Sequence, residues 1–534
     1  MTTTTCDAVV IGAGHNGLVA ANLLADAGWD VIVLEATAAP GGAVASAEIT
    51  VPGYLSDLCS AFYPFATLPG PLEDLNLFEY GLAWRHAPDV LAHLHPDGRA
   101  AVLNLDPQRT AASVADFAGA DADAWLALYQ DWLAIGDRLI EAIMRPFPPV
   151  RGGFGLLRRA RVAGGLRLAR LGVLPVRRLG QERFAGEGAT LLLAGSAMHT
   201  DLSPDEAGSG LYGWLLGMVG QQYGFPVPAG GAGALTAALV DRLAARGGRV
   251  EYRAPAARVA VAGGRARGVA TAGGQRVLAR RAVLADVPAP ALFHDLVDRR
   301  ALPARLVEDV ARFRWDGATV KIDWALSGPV PWKNPALAGA GAVHLGADLN
   351  GLSRYAATLA CGDVPAEPFV IAGQMTTADP ARSPAGTETL WAYTHLPRRS
   401  HWAEEEIAEQ AERVEAVFED AAPGFRRLVR ARHVFGPADL EAKNPSLVGG
   451  ALGGGTSAPY QQLFFRPVPG LGRADTPVDR LFLASASAHP GGGVHGAPGA
   501  NAARAALARD GAAAGRVYRA AVNAAHRAIY RRAQ

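Results

Sequence analysis

A glycine-rich turn and one acid carry the clearest chemistry in this sequence. Gly12-Ala13-Gly14-His15-Asn16-Gly17 has the spacing G-x-G-x-x-G. Gly12 permits a tight turn, Gly14 lets a pyrophosphate approach the backbone, and Gly17 lets a helix pack closely on a strand. Free N–H groups at the helix start face the phosphates. Glu35 follows at the end of a second apolar run. A carboxylate there accepts hydrogen bonds from ribose hydroxyls and repels a 2′-phosphate. These residues predict a dinucleotide site that disfavours NADP.

Two more glycine groups narrow the dinucleotide to FAD. Pro40-Gly41-Gly42 lies just beyond Glu35. Backbone so bare lets a large cofactor lie across it, which simple NAD domains seldom need. Gly491-Gly492-Gly493 precedes a helix near the other end of the chain. The N-terminus of that helix can stabilise negative charge developing near N1–C2=O of a reduced flavin. The expected cofactor is FAD, and hydride transfer to it needs orientation and water exclusion more than an acid–base triad.

The elements that must hold these groups are legible as a pattern. Residues 7–11 read as a strand, 18–27 as a helix and 31–34 as a second strand, a βαβ unit. Glycines at 230–233 precede a helix over 234–246, and strand-like runs follow at 249–252, 257–262, 267–271 and 276–284. A last strand at 480–484 leads into the glycine-rich 489–499 and a helix from 500. Between these pieces lie irregular blocks, with a helix expected over 121–143 and a strand over 318–326. The pattern predicts an α/β fold. Residues 1–70, 225–300 and 470–534 form a three-segment Rossmann-like FAD-binding domain, and 71–224 and 301–469 form an inserted α+β substrate domain.

Bulk properties exclude several classes. The chain has 534 residues, half of them hydrophobic, which is ample for a core and for two domains. A net charge of +1 gives no argument for a nucleic-acid partner. Cys6, Cys59 and Cys361 match no metal or redox spacing, so no metal site is expected. Sparse cysteine and a short polar start suit a cytoplasmic protein. No apolar run reaches about 18 residues, the length a spanning helix needs. The segment 151–178 carries eight arginines and no acid, interleaved with apolar residues. Such a segment can rest on an anionic bilayer as a peripheral contact.

The start (DAVVIGAGHNGLVAANLLADAGWDVIVLEATAAPGGA), the middle (VPAGGAGALTAALVDRLAARGGRVEY, then RAVLADVPAP) and the tail (TPVDRLFLASASAHPGGGVHGAPGANAA) resemble one family. It is the phytoene desaturase-like branch of the flavin amine oxidase superfamily, near the group of pyridine nucleotide-disulphide oxidoreductase domain-containing protein 2. The resemblance is weak around 100–220 and 335–440. It implies non-covalent FAD held by Gly12, Gly14, Gly17, Glu35, Gly41 and Gly42, with Val259 on the adenine side and Gly492, Gly493 and Val494 at the flavin end. Many members carry Arg directly after the Gly-Gly pair; Ala43 stands there in this chain. The disulphide in that group's name finds no counterpart, since the chain has no C-x-x-C pair.

The resemblance also implies an oxidoreductase that moves hydride between C–C or C=C bonds of an apolar, isoprenoid- or carotenoid-like substrate and flavin N5, with a quinone or oxygen as electron acceptor. Three alternatives stay open: a redox-neutral polyene isomerase, an amine oxidase, and an FAD-containing binding module with little turnover. Lys321, in an alternating strand, matches a lysine that in amine oxidases approaches flavin N5 through a water; an ion pair with a carboxylate would equally explain it. His489 and His495 bracket the tail glycines and are further candidates for the flavin face. Tyr63 and Phe65 are candidates for a tunnel lining.

Overall fold

The computed structural model describes residues 3–530, without the side chains of residues 150–152, 157 and 160–162. Two seven-stranded sheets organise them. In the first, strand Thr3–Ile11 lies between Val31–Leu34 and Arg276–Ala285, parallel to both. Arg249–Glu251 continues the sheet beyond Val31–Leu34. The far edge of Arg276–Ala285 is shared: its first half pairs with Arg265–Thr271, its second half with Leu481–Leu483. Ala256–Ala262 closes that side as a hairpin.

Strand Thr3–Ile11 shows why these runs are continuously apolar. Ala8 and Val10 pack toward helices His15–Asp26, Ala232–Ala245 and Ala497–Asp510, while Val9 and Ile11 pack with Leu292, Phe293 and Leu306 on the other face. A parallel sheet covered on both faces must be apolar on both. The fold is thus the α/β class expected, with a Rossmann-like sheet assembled from distant segments.

The second sheet runs in the order Val429–Phe435, Ala318–Leu326, Glu388–Leu396, Val370–Gln374, Ala340–Leu345, Asp89–Leu94, Ala100–Leu103. Only Ala340–Leu345 and Asp89–Leu94 pair in parallel. Helices Asp121–Met144, Gly188–Ala197 and Ser209–Tyr223 cover one face. Buried Trp125, Leu128, Trp132, Leu139 and Ile140 set the helical period of the first of these. Helix Glu404–Ala421 covers the other face through Val414 and Phe418.

One buried ionic group joins the layers. Arg382, fully buried, donates to both oxygens of Asp57 at 3.0 and 2.9 Å and to Asp379 at 3.3 Å. Asp57 also accepts the Ala232 N–H at 2.8 Å, at the start of helix Ala232–Ala245, and Asp379 accepts the Gly230 N–H at 2.8 Å.

Candidate active site

A cavity of about 1140 Å³ runs from the first sheet into the helical layer over the second. That exceeds the roughly 300–1,000 Å³ of a pocket for one drug-sized ligand, so it has room for a cofactor and a second molecule. Glu35 and Thr37 line one end; Gly12, Gly14 and Asn16 follow, then Gly42 and Ala43. Gly12 has φ +93°, and a Cβ there would lie 2.7 Å from the Asp286 carbonyl oxygen. Both oxygens of Glu35 are held from one side: Oε2 accepts the Ala13 N–H at 2.8 Å, and Oε1 accepts the Thr37 N–H and hydroxyl at 2.8 Å each. Oε2, with one bond accepted, keeps acceptor capacity for a ribose hydroxyl.

Gly17 and Gly41 do not line the cavity; they build it. A Cβ on Gly17 would lie 2.2 Å from the Gly12 carbonyl oxygen, so only glycine lets the helix approach the turn. The Gly41 N–H donates to the Ala13 carbonyl at 2.8 Å, which ties the Pro40–Gly42 turn to the first one.

At the far end of the chain, Gly492, Gly493 and Val494 line the cavity. Helix Ala497–Asp510 crosses helix His15–Asp26 so closely that a Cβ on Gly499 would fall 1.9 Å from the Asn16 carbonyl oxygen. Two helix N-termini therefore meet at the cavity, an arrangement that favours anionic groups. Packed against Gly492 is a loop at residues 453–455, close enough that a Cβ on Gly492 would lie 2.5 Å from the Gly453 carbonyl oxygen. The Asp316 carboxylate accepts the N–H groups of Leu452, Gly453 and Gly455 at 2.7, 2.7 and 3.0 Å. Arg466, fully buried, donates to the carbonyls of Gly453, Gly454, Thr456 and Ala486. Among the described residues it has no ion-pair partner, so its charge is set into the cavity wall uncompensated at contact range.

The remaining sequence candidates divide. His489 lines the cavity and donates from Nε2 to the Arg145 carbonyl at 2.9 Å. His495 lines it too; its Nδ1 accepts the Ala497 N–H at 3.1 Å, which puts its proton on Nε2. Burial holds both rings neutral, at about 4 and about 3. Tyr63 and Phe65 line the wall, with Phe65 edge-on to His495. Lys321 lies outside the lining: buried, it is hydrogen-bonded to Asp323 two residues along its strand and sits 5.9 Å from the Phe435 ring. Val259 is also absent from the lining. Its side chain packs in the sheet's own core opposite Val269, and Pro255 and Ala256 meet the cavity instead, where the chain enters the hairpin.

Several groups escaped the sequence. Asp286 is one, because its partner is distant: it accepts the Gly17 N–H at 2.8 Å from beneath the glycine turn. Burial, reinforced by the Glu35 charge, raises its carboxyl to about 7. A carboxyl whose folded-state value lies above the ordinary 3.8 binds extra protons in the folded state between the two values. Stability contributed there is full near pH 4 and falls as pH rises through about 7. The Asp286→Asn variant is expected to flatten that slope between pH 4 and about 7, read by denaturation at each pH; an unchanged slope would assign it elsewhere. Lys443 and Asn444 also line the cavity, and the Asn444 amide nitrogen would lie 3.4 Å from a Cβ on Gly42. They supply polar and cationic groups on the side where Ala43 offers none. The bare glycine turns, the held Glu35 and the two helix N-termini fit FAD.

The comparisons agree. Residues 17–507 match the family model described as flavin containing amine oxidoreductase. The chain belongs to that family and is an FAD-dependent oxidoreductase. It is 30% identical over 93% of its length to mouse pyridine nucleotide-disulfide oxidoreductase domain-containing protein 2, of which it covers 92%. It is 25% identical to the phytoene desaturase (neurosporene-forming) of Cereibacter sphaeroides, covering 94% of each chain. An oxidoreductase of Methanosarcina mazei shares the fold, with a TM-score of 0.60 at 16% identity over 94% of this chain and 99% of that one.

Proposed function

We propose that this enzyme takes hydride from a C–C bond of an apolar, isoprenoid-like substrate, with a quinone or oxygen as the eventual acceptor. The shape and lining of the cavity beyond the glycine loops support this reading. Leu211, Leu215, Leu216, Phe225, Ile143 and Met144 line that arm. Trp391 and Tyr393 stand side by side on one strand, their rings stacked 5.9 Å apart at 13°. The desaturase relative points the same way.

Bound FAD supplies the hydride acceptor. The apolar arm excludes water and aligns an extended chain, and the loop pinned by Asp316 and Arg466 fixes the surface against which the reacting carbon rests. Neutral His489 and His495 border that surface as hydrogen-bonding groups without charge. Anaerobic mixing of the holoprotein with isoprenoid hydrocarbons in micelles should bleach the flavin band near roughly 450 nm and give products short of two hydrogens. Bleaching by simple amines alone would replace this reading with amine oxidation.

We further propose that the mouth of this arm faces an anionic bilayer. Gly172, Pro459 and Leu463 line the cavity there, and Phe464 beside them is exposed. Gly172 ends helix Val150–Leu171, on which Phe154 and Leu166 are 71% and 69% exposed. Arg158, Arg159 and Arg167 are exposed on the same helix. Arg170 and Arg178 instead pair with Glu182, and Arg177 with Asp205, which neutralises the C-terminal part of the basic segment. Arg151 and Arg161 lie outside the described side chains. Among the described residues no helix is long and apolar enough to cross a membrane. Replacing Arg158, Arg159 and Arg167 by Gln should weaken binding to phosphatidylserine vesicles about 100-fold, at roughly 1 kcal/mol per charge; unchanged sedimentation with the vesicles would remove the proposal.

A further inference from the structure

The cavity that fits FAD is poor in positive charge. Five carboxyl groups line it, those of Glu35, Asp201, Asp286, Asp295 and Asp316, against two permanent cations among the described residues, Arg466 and Lys443. Arg466 commits its N–H groups to the carbonyls of Gly453, Gly454, Thr456 and Ala486. Lys443 has no such commitment. Lysine occurs three times in this chain, against 48 arginines. Lys321 pairs with Asp323 and Lys333 with Asp420. Lys443 has no carboxylate in ion-pair range among the described residues, and it ends helix Pro437–Lys443 at the cavity.

Asn444 follows it, and its side chain is oriented. Asn444 Oδ1 accepts the Ser446 N–H at 3.1 Å, so turning the amide over would set one N–H group against another. The NH2 end therefore faces Gly42: a Cβ on Gly42 would lie 3.4 Å from Asn444 Nδ2 and 3.6 Å from Gly14 Cα. Gly14 is the residue whose bare backbone a diphosphate approaches. The glycine turn, Gly42 and the Asn444 amide thus form one continuous surface, and Asn444 Nδ2 has no acceptor among the described residues.

The second sheet carries both groups. Helix Pro437–Lys443 follows its edge strand Val429–Phe435 directly. Leu440 and Leu447 pack with Phe435 and against Leu58 and Cys59. Asp439 caps the helix by accepting the Gly436 N–H at 2.8 Å, and the Asn444 N–H closes its last turn on the Leu440 carbonyl at 3.0 Å.

We infer that Lys443 and Asn444 complete the diphosphate site of FAD from the second sheet. Asn444 Nδ2 donates to the diphosphate, and the Lys443 ammonium offsets its charge in a wall where carboxyl groups outnumber cations. Ala43, directly after the Gly-Gly pair, supplies neither. Bound FAD then ties the second sheet to the glycine turns of the first, whatever substrate the apolar arm receives.

The test is release of FAD from diluted holoprotein, read as fluorescence of the free flavin, at about 0.01 M and about 1 M salt, where a charge reaches roughly 30 Å and roughly 3 Å. Lys443→Gln should raise the Kd of FAD about tenfold at low salt, the size of one hydrogen bond to a charged group, and less than about threefold at high salt. Lys443→Arg should keep most of the parent affinity. Asn444→Asp retains the oxygen that receives the Ser446 N–H and turns the donor into a charged acceptor; it should raise the Kd about tenfold or more at low salt. Melting temperature reports whether each variant is folded, and Lys443 is exposed, so its substitution leaves the core untouched. An unchanged Kd in Lys443→Gln at low salt, a loss equal at both salt concentrations, or a folded Asn444→Asp that holds FAD as tightly as the parent would each overturn the assignment.

Discussion

Arg382→Ala is expected to lower the unfolding free energy by about 3–5 kcal/mol, among the largest effects one side chain can have. The side chain is fully buried, and its removal strands the carboxylates of Asp57 and Asp379 without a countercharge. The loss exceeds that of an apolar truncation because both acids also hold the backbone around residues 230–232. The combined variant Asp57→Asn, Arg382→Met, Asp379→Asn should recover most of the loss, since replacing a whole buried ionic group is often close to neutral. Urea denaturation of both variants decides it. A single variant within 1 kcal/mol of the parent (about a fivefold change in the folding equilibrium) would mean that water reaches the group.

Gly14→Ala should do the opposite: spare the fold and remove the cofactor. Gly14 has ordinary extended geometry, φ −68° and ψ 168°, so alanine meets no backbone strain there. Its Cβ would lie 2.6 Å from the Asp286 Oδ2, a side-chain tip that must shift and disturb its bond to the Gly17 N–H under the turn that receives the diphosphate. Overpacking of this kind costs about 1–3 kcal/mol, or roughly five- to 150-fold in Kd. Flavin retained per protein after gel filtration should drop accordingly while the apoprotein melts near its usual temperature. Full flavin retention would place the diphosphate elsewhere. Gly12, at φ +93°, cannot serve this comparison because alanine there would strain the chain as well.

What could be read in advance follows the range of the forces involved. The βαβ start was legible because Gly12, Gly14, Gly17 and Glu35 act within one short stretch of chain. The tail glycines were legible because they precede a helix in sequence. Asp286 was not, since its acceptor role depends on a parallel pairing between strands that are far apart in sequence. His93, His199 and His344 are ordinary singly spaced histidines until the sheet and helix Gly188–Ala197 bring them together. Lys321 and Asp323 share one face of an alternating strand, and that i, i+2 spacing was visible; their burial together was not. Val259 itself is not part of the cavity lining; the chain meets the cavity at Pro255 and Ala256, where it enters the hairpin.

The shared edge of strand Arg276–Ala285 has a consequence for how the protein is made. Residues 283–285 find their outer neighbour only in Leu481–Leu483, and the cavity gains its second glycine wall only at Gly492 and Gly493. At about 5–20 residues per second, the turn at Gly12–Gly17 leaves the ribosome roughly 25–95 seconds before that wall exists. Throughout that interval the nascent chain carries an open strand edge and a half-built cradle. The cradle for FAD is therefore complete only once the last tenth of the chain has been made.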